Sequence, residues 1–194
     1  NILIDNQGLN KIQIEIYDNE ENTNILESGT YKLDKTKPTG SITGNPTDWT
    51  NQDAKLIIKA NDDVSGVKRV KTPDNKWVDN DTAEYITGEN GTYVFTIEDN
   101  AGNTNDISVV VSKIDKNYTV KFHGNTSTSG SMTDQIMVYG KSSAIKPNEF
   151  VKTGYLFDGW ATSPTEDSIY TDEEVVTNLT TETRGIVNLY AQWK

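Results

Sequence analysis

Residues 99–105 read DNAGNTN, and residues 18–24 read DNEENTN. Asp, Asn and Gly tolerate the left-handed backbone of tight turns, so each stretch alone is an ordinary loop. Together they are a repeat, because the match extends on both sides. Ile12, Ile14 and Ile16 fall on Tyr93, Phe95 and Ile97, and YKLDK at 31–35 falls on SKIDK at 112–116. A period of about 80 residues exceeds that of solenoid and propeller units, so each unit is expected to be a small self-contained domain.

Composition sets the class. Thr and Asn are abundant while Ala and Leu are scarce, which favours strands and turns over helices. A mainly β protein is expected. The 29 acidic residues against 18 basic give a net charge of -11, which repels a phosphate backbone and argues against nucleic acid as a partner. There is no cysteine, so disulfides, thiolate nucleophiles and Cys-based zinc sites are all excluded. No apolar run approaches the roughly 20 residues that span a bilayer, and no membrane insertion is expected.

The repeat and the turn signals divide the chain into three. Residues 1–36 match only the last part of the unit at 37–115, as expected of an immunoglobulin-like unit without its front half. Within them Ile12, Ile14 and Ile16 alternate with Gln13 and Glu15 as in a half-buried strand. KTKPTG at 35–40 has the Pro and Gly of a linker. Residues 37–115 carry about seven short strand signals, at 42–44, 54–60, 66–71, 76–78, 83–87, 92–97 and 106–114, the pattern of a sandwich. Leu56, Ile58 and Ala60 share one phase, and Tyr93, Phe95 and Ile97 share another, so each strand can present a face to a common core.

The run KPTGSITGNPTDWTNQDAKLIIKANDDVSGVKRVK, with NGTYVFTIEDNAGNTNDISVVV after it, resembles the bacterial immunoglobulin-like domains found in tandem in surface and secreted proteins. The fragment at 12–35 resembles the end of a sister copy, with Glu20 and Glu21 in place of Ala101 and Gly102. Residues 116–194 differ. YTVKF at 118–122, QIMVYGK at 135–141, KTGYLFDGWATSP at 152–164 and VNLYAQWK at 187–194 follow the order of the internalin B-repeat, or Listeria-Bacteroides repeat, which the segment closely resembles. That resemblance implies a small β-grasp-like (α+β) fold, making the whole an immunoglobulin-like sandwich plus a B-repeat as beads on a string. It also implies an extracellular place on a bacterial cell surface or wall, and a role as stalk or spacer that binds host protein, glycan or neighbouring domains of the same chain.

Two local readings accompany the repeat. Tyr155, Phe157 and Gly159 alternate with Leu156, Asp158 and Trp160, so this strand, apolar on both faces, is expected inside a sheet. Thr171 three residues ahead of Glu174 has the form of a capping box, with Val175, Val176 and Leu179 at helical spacing behind it; a short helix is expected at 171–179.

Catalysis finds little support. The single imidazole, His123, stands at a strand end, and one His cannot be assigned to a triad with Ser and Asp. Carboxylate pairs such as Asp62 with Asp63, or Glu166 with Asp167, need a cleft that drives their pKa values apart. A non-enzymatic role is expected. The sharper candidate is calcium at a junction. The loop with Asp62 and Asp63 and the loop with Asp99 lie at one pole of such a sandwich, facing the linker that Asp34 precedes, and calcium takes six to eight oxygens. The plain reading of these residues is turn capping. Trp49 and Trp77 border loops and are candidate ligand platforms, which would suit the alternative role of carbohydrate-binding accessory modules of a secreted glycosidase-type enzyme. Lys55 and Lys59 point away from the core, where an intramolecular Lys–Asn bond would not form.

Overall fold

The computed structural model describes residues 4–194; residues 1–3, at the start of the first expected segment, lie outside it. The chain forms two compact units, one made of residues 4–45 and 54–111, the other of 46–53 and 112–194. Strands account for the regular structure of both, and no helix occurs among the described residues. The protein is mainly β.

The first unit begins with two ribbons. Strand β1 (Gly8–Asn10) pairs antiparallel with β4 (Tyr31–Leu33), and β2 (Gln13–Tyr17) pairs with β3 (Thr23–Glu27). A sandwich follows. Its smaller sheet has the order β5 (Thr39–Thr43), β6 (Ala54–Asn61), β9 (Thr82–Thr87); its larger sheet has the order β11 (Thr104–Val111), β10 (Gly91–Asp99), β7 (Val67–Lys71), β8 (Trp77–Val78). Strict alternation places Ala54, Leu56, Ile58 and Ala60 of β6 in the core, with Phe95, Ile97 and Asp99 of β10 and Val70 of β7. The two sheets touch closely enough that a Cβ on Gly40 of β5 would lie 2.7 Å from Ile97 Cδ1.

The repeat is visible in atomic detail. Asp18 Oδ1 accepts the N–H groups of Glu20 at 2.8 Å and Asn22 at 2.9 Å, and Asn22 Nδ2 donates to Asp18 Oδ2 at 2.8 Å. Asp99 does the same with Ala101 at 2.9 Å, Asn103 at 2.8 Å and Asn103 Nδ2 at 2.7 Å. Glu21 takes the positive φ of 64° that Gly102, at 92°, takes in the second copy. The two hairpins differ in cover. Phe95 and Ile97 are 0% exposed, whereas their counterparts Ile14 and Ile16 are 46% and 47% exposed.

In the second unit, β12 (Asn117–His123) and β17 (Ile186–Trp193) pair in parallel at the centre of a four-stranded sheet. Strand β13 (Gln135–Val138) flanks β12, and β15 (Phe157–Ala161) flanks β17. A small ribbon joins β14 (Ser142–Ala144) to β16 (Val175–Thr177). One face of the sheet carries the core: Tyr118, Val120, Phe122, Met137, Leu189 and Ala191, with Trp160 at its middle. The indole N–H of Trp160 is buried with no oxygen acceptor. It lies among Phe122, Phe150 and Phe157, whose ring centres are 5.0, 6.4 and 5.0 Å away.

Residues 46–53 belong to this unit through backbone and side-chain bonds. Thr50 N–H donates to Lys113 O and its carbonyl accepts from Asp115 N–H, at 2.9 and 2.8 Å. The buried Asn51 donates to Thr183 Oγ1 and to Thr181 O.

Two expectations are corrected. Half of the capping box at Thr171 forms, its N–H donating to Glu174 Oε2 at 2.8 Å, but its hydroxyl donates there too, at 3.2 Å, instead of accepting the Glu174 N–H, and no helix follows. Glu173 adopts φ of 56°, which breaks helical continuity, and β-branched Val175 and Val176 enter the ribbon with β14. The helix of the expected α+β fold is therefore absent. Strand β15 also starts later than expected and lies at the sheet edge, leaving Leu156 71% exposed. Within it Gly159, where φ reaches 140°, sits at a bulge that shifts the register with β17.

A Cβ at Gly159 would sit 2.5 Å from Tyr170 O. Gly159→Ala is expected to cost about 1–3 kcal/mol from backbone strain alone, read as a lower denaturation midpoint of the second unit. Glu21→Gly should act in the opposite direction, stabilising the β2–β3 turn by up to about 1 kcal/mol, because an L-residue pays for the left-handed region. Slower amide exchange across that hairpin is the expected result.

Candidate functional site

The acidic pole of the first unit is assembled from three places. Asp99 is the last residue of β10 and continues the inward row of Phe95 and Ile97, so alternation alone buries it completely. Asp62 follows the end of β6, and Asp34 follows the end of β4. One carboxylate oxygen from each of the three lies within 4.8 Å of the others. Asp34 and Asp99 are buried, and Asp62 is half-buried.

Each carboxylate accepts hydrogen bonds from nearby N–H groups. Asp62 Oδ1 accepts the backbone N–H groups of Val64, Ser65 and Gly66 at 3.2, 2.8 and 2.9 Å. Asp34 Oδ1 accepts from Gln7 Nε2 at 3.0 Å and from Thr36 N–H at 2.8 Å, while its Oδ2 accepts from Ser65 N–H at 3.1 Å. Asn103 links the pole, donating to Asp99 Oδ2 and to Asp34 O. Hydrogen bonding by Ser65 first of all, against the opposing effect of burial, holds the Asp34 carboxyl down to about 2; Gln7 and the Thr36 N–H add to it.

Among the described residues, none of the three carboxylates is paired with a Lys or Arg; the ion pairs lie elsewhere. The counterpart of Asp34 in the repeat has a cation built in. Asp115 uses Oδ1 to accept Asn117 N–H, as Asp34 accepts Thr36 N–H, but its Oδ2 faces Arg184 Nε at 3.3 Å. Oxygens of two ligands on opposite sides of one calcium ion stand roughly 4.6–5.2 Å apart. The 4.8 Å spread of the cluster fits within that limit.

Asp63 stands apart from this group and accepts Asn61 Nδ2 at 2.9 Å instead. The chain turns here, after β6 ends at Asn61, and Asp62 is the one of the pair whose carboxylate closes the turn. The sequence reading did not single out Gln7, Ser65 or Asn103 as parts of this site. The available signals were the Ser three positions after Asp62, which suits a turn closed onto its carboxylate, and the Asn repeated at 22 and 103.

The two tryptophan candidates are both exposed, Trp49 by 45% and Trp77 by 40%, in different units. A cation lies over each ring. The Arg69 guanidinium is 4.1 Å from the Trp77 ring centre, and that of Arg184 is 4.7 Å from Trp49, with Lys113 Nζ at 5.3 Å. His123 stacks on Tyr190 at 4.6 Å and bonds Asn188 Oδ1 at 2.8 Å. Neither of these contacts is with a Ser or a carboxylate, and Lys55 makes an exposed ion pair with Glu84.

Residues 118–192 match the model of the Listeria-Bacteroides repeat domain. The matched span runs from β12 into β17 and contains the whole apolar core around Trp160. Domains of this type are repeat modules of bacterial surface proteins, consistent with a non-catalytic structural role. No curated protein and no solved structure matches the chain.

The depressed pKa of Asp34 gives the first unit an acid limit. Its folded value of about 2 lies below the ordinary 3.8, so the stabilisation is complete above the unfolded value and is lost as pH falls through the range from about 4 to 2. Denaturant midpoints measured across that range should fall for the parent and fall less steeply for Asp34→Asn.

Proposed function

We propose that the chain is a non-catalytic structural segment of a bacterial surface protein, in which its units act as spacers. The observation that carries this reading is the repeat-domain match over 118–192, and the protein's mainly β build supports it. Antibody raised against the chain is expected to label intact cells of the source bacterium. Labelling seen only after permeabilisation would contradict the reading.

The acidic pole gives the spacer a defined joint. Asp34 ends the ribbon segment, while Asp62 and Asp99 belong to the sandwich, so a calcium ion held by the three would tie ribbon to sandwich and neutralise three clustered negative charges. The unpaired state of the three carboxylates supports this assignment. Millimolar calcium is expected to raise the melting temperature of the first unit, as ligand binding to the folded state must. Asp62→Asn should remove the increment. An unchanged melting curve for the parent would leave the three residues as turn caps.

The alternative, a carbohydrate-binding accessory module, rests on Trp77 and Trp49. Sugar rings stack on a bare aromatic face, and here a guanidinium already lies over each indole. A glycan array is expected to be silent, and binding lost on Trp77→Ala would favour the alternative.

A further inference from the structure

The first and last strands of the second unit's sheet are neighbours, and they run in parallel. Register joins Thr119 to Ile186, Val120 to Val187, Lys121 to Asn188, Phe122 to Leu189 and His123 to Tyr190. Chain direction decides how such a pair responds to tension. A pull on the chain before Asn117 draws β12 toward its own start, and a pull on Lys194 draws β17 toward its own end. In a parallel pair these directions are opposed along the strand axis, so every bond of the ladder is loaded at once. If the same strands were pulled from one end, the bonds would open singly.

We propose that the β12–β17 pair is a shear clamp that makes the second unit the load-bearing element of the chain. The surroundings reinforce it. Neither strand is at an edge, since β13 holds β12 and β15 holds β17. Beneath the ladder, Tyr118, Val120, Phe122, Leu189 and Ala191 are buried, so sliding the strands also exposes the core. The chain end is tied in, with Leu156 and Lys194 exchanging backbone hydrogen bonds at 2.8 and 3.0 Å and Lys194 Nζ meeting Asp158 at 2.6 Å.

The first unit lacks such a ladder between its outer sandwich strands. There β5 and β11 lie in different sheets. Two side chains link their ends, Asn105 donating to Pro38 O at 2.9 Å and Asn45 donating to Val110 O at 3.1 Å. Two bonds from asparagine side chains replace five residue pairs of backbone ladder, so the sandwich should yield before the repeat.

The clamp matters biologically only if the spacer reading holds, but its test is independent of that reading. The chain contains no cysteine, so pulling handles attach only where one is introduced. Asn117→Cys with Lys194→Cys in the full chain loads the pair in shear. Asn117→Cys with Glu182→Cys loads the same pair from one end, since each site precedes the first paired residue of its strand, Thr119 or Ile186. All three positions are exposed, and matching melting temperatures for the two variants confirm an intact fold. Single-molecule pulling should give a several-fold higher rupture force for the first variant. Equal forces, or a higher force for the second, would overturn the clamp whatever the location of the protein on the cell.

Discussion

Parallel pairing of β12 with β17 is the constraint on which the second unit depends. Parallel neighbours cannot be joined by a tight turn, so the chain between them must cross over. Residues 124–185 are that crossover, and they carry everything else in the sheet: β13 on one side, β15 on the other, and the β14–β16 ribbon. An α-helix is the usual filling of such a connection. Here an extended ribbon and loops do the same work, and the aromatic cluster of Trp160 with Phe122, Phe150 and Phe157 closes the core.

The first unit solves a different problem, that of using one building block more than once. The hairpin at β2–β3 and the hairpin at β10–β11 close through the same four-residue set of carboxylate, amide and backbone bonds. What distinguishes them is what stands opposite. Asp99 meets Asp34 and Asp62 at a buried pole, while Asp18 remains exposed. Likewise Asp34 and Asp115, at matching positions of the repeat, make the same turn, yet only Asp115 is given an arginine. Identical local chemistry thus acquires different electrostatic settings from its neighbours.

Much of this was legible in the sequence because period-2 alternation is a local property. The rows of Leu56, Ile58 and Ala60 and of Phe95 and Ile97 were readable, and so was the repeat that relates the two hairpins. Three acidic residues that meet at the pole could be named because each lies at or just after the end of a strand. Asp63 could not be separated from Asp62 without knowing where the strand phase ended. The helix expected at 171–179 failed for a reason visible only in three dimensions. The Glu174 half of its capping box formed, but a positive φ at Glu173 and a waiting partner in β14 turned Val175 and Val176 into strand. At GYLFDGW the bulge at Gly159 shifted the register, so one alternation could not be carried through the whole stretch, and the edge position of the strand was not legible in it.

Native-state hydrogen exchange tests the dependence on the β12–β17 ladder most directly. If the parallel pair holds the second unit together, amides of Thr119–His123 and of Val187–Ala191 should exchange last, at the rate of global unfolding, while those of β13, β14 and β16 open earlier. Exchange of the β12–β17 amides ahead of the flanking strands would contradict that dependence and move the keystone of the fold to the aromatic cluster.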